Sequence, residues 1–143
     1  MIDRDTQVST AAFLLRVSMG VMFLAHGLLL KVMTFGVGGT AGFFQSIGYP
    51  AALAYVVIGF EIVGGLALIL GAYVRVVSLA LIPVMVGATL QHLSKGWVFS
   101  AQGGGWEFPA FWTVALVAQV LLGAGRWALV ENRLPARLSL KTA

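Results

Sequence analysis

Residues 51–73 read AALAYVVIGFEIVGGLALILGAY. An α-helix needs about 20 mainly apolar residues to cross the hydrocarbon core of a bilayer, and this run supplies them with one ionisable side chain, Glu61. Lipid offers the backbone no hydrogen-bond partners, so a run of this kind must be helical. A charge at the centre of such a helix costs roughly 2.5 to 3.5 kcal/mol on insertion scales, so Glu61 is expected to face a partner or a cavity. Gly59, Gly64 and Gly65 flank it, leaving little side chain there. That geometry favours a close helix contact or a ligand slot.

Working outward, three more apolar runs qualify as spans, at about residues 11–33, 76–93 and 108–125. Across its 143 residues the chain is 59% hydrophobic and only 10% charged, with a mean hydropathy of +0.95. A soluble domain this small lacks the polar groups to cover its surface at that composition. The expected fold is all-α, an integral membrane bundle of four transmembrane helices forming a single membrane domain over 1–143. Pro50 and Pro109 sit where first helical turns begin, a position that tolerates a missing N–H. Between the first two spans, residues 35–49 carry five glycines together with Phe43, Phe44 and Ile47, spaced as in a short interfacial or re-entrant segment. Residues 94–106, with Gly103, Gly104 and Gly105, form the other long connection. Arg16 interrupts the first run and no small-residue cleavage site follows it, so that run is expected to be a mature helix and not a signal peptide.

The formal charge is +4. The basic residues are scattered beside apolar runs, which points to membrane orientation and excludes nucleic acid as an expected partner. With both termini cytoplasmic, Arg4, Arg16, Arg75, Arg126, Arg133, Arg137 and Lys141 lie inside, and Lys31 and Lys95 lie outside. Tyr49, Trp97 and Trp106 then form an outer aromatic belt, with Tyr73 and Trp127 in the inner one. The tail 126–143 is basic. There are no cysteines, which excludes dithiol chemistry by the chain itself and zinc–thiolate sites.

The ionisable groups inside the bundle gather in its outer half: His26 and Lys31 late in the first span, Glu61 in the second, His92 ending the third and Glu107 opening the fourth. His26 lies deep enough to reach Glu61, and that pair suits proton or quinone chemistry. A structural reading stands beside it, in which Glu61 bonds His26 or Lys31 and the two following glycines pack helices. His92 is expected about 10 Å higher than His26, which argues against bis-histidine haem. His26, Glu61, His92 and Glu107 are metal-ligand types without a diagnostic spacing, so neither haem nor metal is expected. Glu107 is also accounted for by its place at a helix N-terminus. Arg16 shares a face with Gly20, Phe23 and Gly27 and either reaches the inner surface or pairs inside the bundle.

The ordered set Leu15 and Arg16, FLAHGLLLK at 23–31, GYPAALAYVVIGFEIVGGLALILGAYVR at 48–75 and GGGWEF at 103–108 resembles the DoxX family of small bacterial four-helix membrane proteins. The resemblance implies an inner-membrane protein of the superfamily that includes subunits of quinone-linked oxidoreductases, among them the thiosulfate-oxidising type. Arg16, His26, Glu61, Gly64, Gly65, Arg75 and Glu107 fall on the family's characteristic positions. One departure stands out: the family's lysine follows its histidine by four residues, whereas Lys31 follows His26 by five. On an α-helix that extra residue turns the side chain by about 100°, so Lys31 is left out of the expected site.

Three functions fit these observations. The first is a redox-associated subunit binding a quinone-like or other small apolar ligand beside Glu61 and His26, with Arg16, Gly64 and Gly65 nearby and another membrane or periplasmic redox protein as partner. The second is a non-catalytic subunit that assembles or stabilises a membrane complex. The third is a small transporter or exporter component, which with four helices calls for a homo-oligomer.

Overall fold

The computed structural model of the chain describes residues 3–98 and 100–130. Among these it is all-helical apart from loops and one isolated bridge. Helix α1 runs Arg4–Leu24 and continues without a break as a π-helical stretch, Ala25–Thr34. A short helix α2, Val37–Ser46, precedes α3, Ala51–Leu70. Helix α4 spans Val74–His92 and α5 spans Glu107–Leu122.

The starts are built as the sequence suggests. Asp3 caps α1: its carboxylate accepts from the Thr6 amide at 2.9 Å and the Thr6 hydroxyl at 2.8 Å. Those two bonds, the amide first, hold the Asp3 carboxyl below its usual range. Pro50 is the cap residue of α3, and Pro109 falls in the first turn of α5. Helix α3 ends at Gly71, whose φ of +73° is the left-handed cap that stops a helix. The expected interfacial segment between the first two spans contains α2.

The expected boundaries need three corrections. The first span begins at Arg4, not near Ala11, because Asp3 and Thr6 supply a cap that hydropathy does not register. The second ends at Leu70, before Tyr73, because Gly71 and Tyr73 both take positive φ in a tight turn to α4. The fourth covers Glu107–Leu122 and stops short of 125, because Gly123, at φ +80°, ends it. At 16 residues α5 falls below the length needed to cross unaided, so three helices are long and apolar enough to span a membrane: Arg4–Thr34, Ala51–Leu70 and the helical run Val74–Lys95. Of the expected basic tail 126–143, residues 131–143, with Arg133, Arg137 and Lys141, lie outside the described residues.

Helix α1 packs antiparallel on α3, and α4 on α5. Glycine sets the α1–α3 distance: a Cβ on Gly20 would stand 2.7 Å from the Gly65 carbonyl oxygen, and one on Gly27 would stand 2.8 Å from the Glu61 Cβ. This is the small-residue contact by which helices associate in lipid, where the hydrophobic effect cannot drive them together. A Cβ on Gly64, on the other side of α3, would approach Leu81 of α4 within 3.0 Å. The centre is filled by Met19, Phe23, Leu68, Leu81, Met85, Trp112 and Leu116.

One end of the bundle is closed by polar side chains that bind backbone. Arg16 is fully buried, and its guanidinium donates to five carbonyl oxygens: Ala124 at 2.8 Å, Leu68 at 2.7 Å, Ile69 at 2.6 Å, Arg126 at 2.9 Å and Trp127 at 3.0 Å. Two of these, Leu68 and Ile69, belong to the last turn of α3, where a cation also meets the negative end of the helix dipole. The buried Gln119 donates to the Gly123 and Ala12 carbonyls, and Arg75 donates to Val120. After α5 the chain folds back, with the Leu129 and Val130 amides bonding the Leu70 and Gly71 carbonyls. Arg16→Lys, which offers three donors to five carbonyls, is expected to destabilise the protein by about 3 kcal/mol or more. Thermal unfolding in mild detergent reads this as a clear fall in Tm, and an unchanged Tm would show that the carbonyls do not depend on the guanidinium.

Candidate functional site

The opposite end is hollow. A cavity of about 590 Å³ lies among the π-helical stretch, α2, the first half of α3, the second half of α4 and the start of α5. Its walls are apolar, with Phe43 and Phe44 from α2, Phe60 from α3, Pro83 and Met85 from α4 and Phe108 from α5. Into it reach His26, Lys31, Glu61, His92 and Trp112. A concave, mostly apolar space with a few converging polar groups is the usual form of a small-molecule site.

Glu61 is buried, and of the two expected partners, His26 and Lys31, it is Lys31 that bonds it. The Lys31 ammonium donates to both carboxylate oxygens, at 2.8 and 2.7 Å. The correction comes from the backbone. From Ala25 to Thr34 the hydrogen bonds run i→i+5, ending with the Phe35 amide on the Leu30 carbonyl at 2.8 Å, and the turn is wider by close to one residue. Five residues on a π-helix therefore reach the face that four reach on an α-helix. The offset that excluded Lys31 is cancelled by the pitch. The Thr40 hydroxyl, from α2, bonds the Lys31 carbonyl at 2.8 Å and pins this turn.

His26 stands in the same cavity with its Nδ1 2.8 Å from the Met22 carbonyl. A carbonyl only accepts, so Nδ1 carries the hydrogen, and a neutral ring keeps its Nε2 lone pair for another partner. Trp112 packs edge-on against the ring, with centroids 5.2 Å apart, and Phe108 lies parallel to it at 6.5 Å. His92 repeats the arrangement: its Nδ1 lies 3.1 Å from both the Gly103 and Gly104 carbonyls, which leaves Nε2 as acceptor. The glycine connection thus orients a cavity residue, and His92 shares one chamber with His26 instead of standing apart at the surface.

Besides Lys31, Trp112 is a cavity residue that sequence reasoning missed. It is 4% exposed, and its indole N–H has no hydrogen-bond partner among the described residues. A buried indole normally finds an acceptor; here the Trp112 ring lines the cavity while its N–H is buried behind it. Its position was the available signal. The belts account for Trp97, Trp106 and Trp127, and Trp112 alone falls inside an apolar run.

The remaining expected residues lie elsewhere. Arg16 is held by its five carbonyls at the closed end and does not line the cavity. Gly65 meets α1 and Gly64 meets Leu81. Glu107 opens α5, its amide bonding the Trp97 carbonyl, outside the cavity wall. Among the described residues no three His, Asp or Glu side chains come together as a metal set.

The DoxX family profile matches residues 11–99. The chain belongs to the DoxX family. A curated relative from Bacillus subtilis (strain 168), named "Putative oxidoreductase CatD", is 38% identical to the chain over 89 residues, which is 62% of this chain and 63% of that protein. The match therefore covers a little under two thirds of the relative's length. No solved structure matches the chain. The family assignment and the apolar helices make this DoxX protein a membrane protein.

Removing either member of the Lys31–Glu61 pair leaves the other's charge in an apolar wall. Lys31 keeps 20% of its side chain exposed, which puts the expected cost of Lys31→Met or Glu61→Met at the low end for buried pairs, about 3 kcal/mol. The double variant Lys31→Met/Glu61→Met should recover most of that loss in denaturant or thermal unfolding. If the two losses simply add, the pair is not energetically coupled.

Proposed function

We propose that this DoxX protein is a redox-associated membrane subunit whose cavity holds the ring of a quinone-like molecule beside Lys31, Glu61, His26 and Trp112. The convergence of Lys31, Glu61, His26 and His92 on one otherwise apolar, aromatic-walled cavity carries the reading, because a polar ring in an apolar body needs that mixture. Of these, His26 and His92 each present an Nε2 acceptor that suits the hydroxyl of the reduced ring. A quinone, when bound, accepts two electrons and two protons. Lys31, Glu61 and His26 are the groups here able to hold and pass on protons, and aromatic walls exclude water around the ring. The electrons come from a partner redox protein in or beside the membrane. The name of the Bacillus subtilis relative, an oxidoreductase, supports the redox class.

The same reading places the protein in the bacterial inner membrane with four crossings and both termini cytoplasmic. Helix α5 lies against α4 and crosses with it, its shortness met by local thinning and by Trp106 at its start. Arg16 and Arg75 bind backbone at the closed end, whereas Lys31 and Lys95 stand at the hollow end, in accord with a cytoplasmic closed end.

The mutual saturation of Lys31 and Glu61, which ties α1 to α3, favours a second reading as a non-catalytic assembly subunit. Ligand binding separates the two. His26→Phe removes the Nε2 acceptor and keeps an aromatic ring, and should weaken binding of the reduced quinone by the purified protein about tenfold, the value of one hydrogen bond of roughly 1.4 kcal/mol, with Tm little changed. If wild type binds no quinone in lipid nanodiscs, or His26→Phe binds the reduced form as tightly, the ligand reading fails.

A further inference from the structure

A second depression lies on the outer surface of the α3–α4 pair. It measures about 470 Å³ and is lined by aliphatic and aromatic side chains and glycine, among them Gly59, Val63 and Val77, with the Tyr55 hydroxyl as its one polar side-chain group. It is not a separate feature of the surface. Val56, Phe60 and Ala80 line it and also line the ring cavity, so the two spaces share a wall across α3 and α4. Gly59 leaves its floor open, since a Cβ there would meet nothing within 4 Å. At Gly64, one turn on, the helices close again against Leu81.

We infer that this groove is a subsite for the hydrocarbon tail of the ligand whose ring occupies the cavity, so that the protein selects tailed over tailless rings. This inference rests on the ligand reading above. Three features support it. The groove is apolar apart from the Tyr55 hydroxyl, whereas the cavity carries every charged group and both imidazoles described for the site. The groove faces outward, where a chain leaving the cavity passes into lipid, since Val63 and Tyr55 are more than half exposed. It adjoins the cavity across Val56, Phe60 and Ala80, and Val56 and Phe60 are exposed, so a chain passes from one space to the other over them along the lipid-facing surface. An amphipathic molecule with a polar ring and a greasy chain has the same division of chemistry. Gly59 and Val63 set how much chain is accepted, and neither lines the ring cavity.

The test uses the full chain in nanodiscs and compares equilibrium binding of menadione, which has no tail, with menaquinone-4, which carries the same ring on a prenyl tail. Each ligand is expressed as its mole fraction in the membrane, so that partitioning does not imitate binding. Wild type is expected to prefer menaquinone-4 by about tenfold. Gly59→Leu fills the groove from its floor and should reduce that preference to less than about threefold while the menadione affinity stays the same. Val63→Trp, which crowds the groove from its exposed rim without altering a glycine, should do likewise. The inference is overturned if both rings bind wild type equally, or if the preference survives both substitutions. It is also overturned if the substitutions only displace phospholipid, seen by mass spectrometry, and leave the menaquinone-4 preference intact, since the groove then holds an ordinary acyl chain. If neither ring binds wild type, the ligand reading falls and this inference with it, an outcome distinct from menadione binding without tail preference.

Discussion

A guanidinium with five donors and five backbone carbonyls organises the closed end of this bundle. Arg16 joins α1 to the last turn of α3 and to the segment that follows α5. In water those carbonyls would be solvated. In a lipid-embedded bundle they need a donor from within the protein, and a planar fork that stays charged suits the task better than an ammonium. Closing one end this firmly lets the other be loosely filled. The helices are fixed by Arg16, Arg75 and Gln119 below and by the Gly20, Gly27 and Gly65 contacts along α1 and α3, so a cavity of about 590 Å³ persists above without helix contact across it.

Much of this was legible in the sequence because the bilayer imposes simple rules. Glu61 announced itself as a lone carboxylate in an apolar run, and His26 by its depth. Both line the cavity, and α3 begins at Ala51, where the expected second span begins. Gly64 and Gly65 were legible as positions of close approach, Gly65 to α1 and Gly64 to Leu81. The less legible parts depended on contacts between distant segments. Arg16 shows a face on a helical wheel, but no wheel shows that the chain beyond α5 returns to present its carbonyls. Trp112 reads as one more aromatic in a greasy helix until the cavity it lines is known. The three boundary differences came from caps and positive-φ turns, which act over a few residues and leave hydropathy unchanged.

Lys31 is the instructive case. The sequence carried the relevant fact, Lys31 five residues after His26, and an α-helical reading turned it into a reason to discard the residue. The chain instead changes its helical pitch. The change falls between two anchors: Gly27, packed on Glu61 and Ile62, and the Lys31 carbonyl, held by Thr40. With both ends of the interval fixed by tertiary contacts, the backbone between them accommodates the extra residue by widening, which is how π-helical turns commonly arise at working sites.

That widened turn acts as an expansion joint. A rigid helix cannot gain or lose a residue without rotating everything beyond it, yet here length is taken up locally and the lysine still arrives at the carboxylate. A chain with one residue fewer between histidine and lysine would bring its lysine to the same carboxylate on an ordinary α-helical turn. The equivalent of Lys31 in another chain must be found by what it touches. A residue-by-residue pairing that runs ungapped through Leu28, Leu29 and Leu30 would equate this lysine with an apolar neighbour and make two like sites look different.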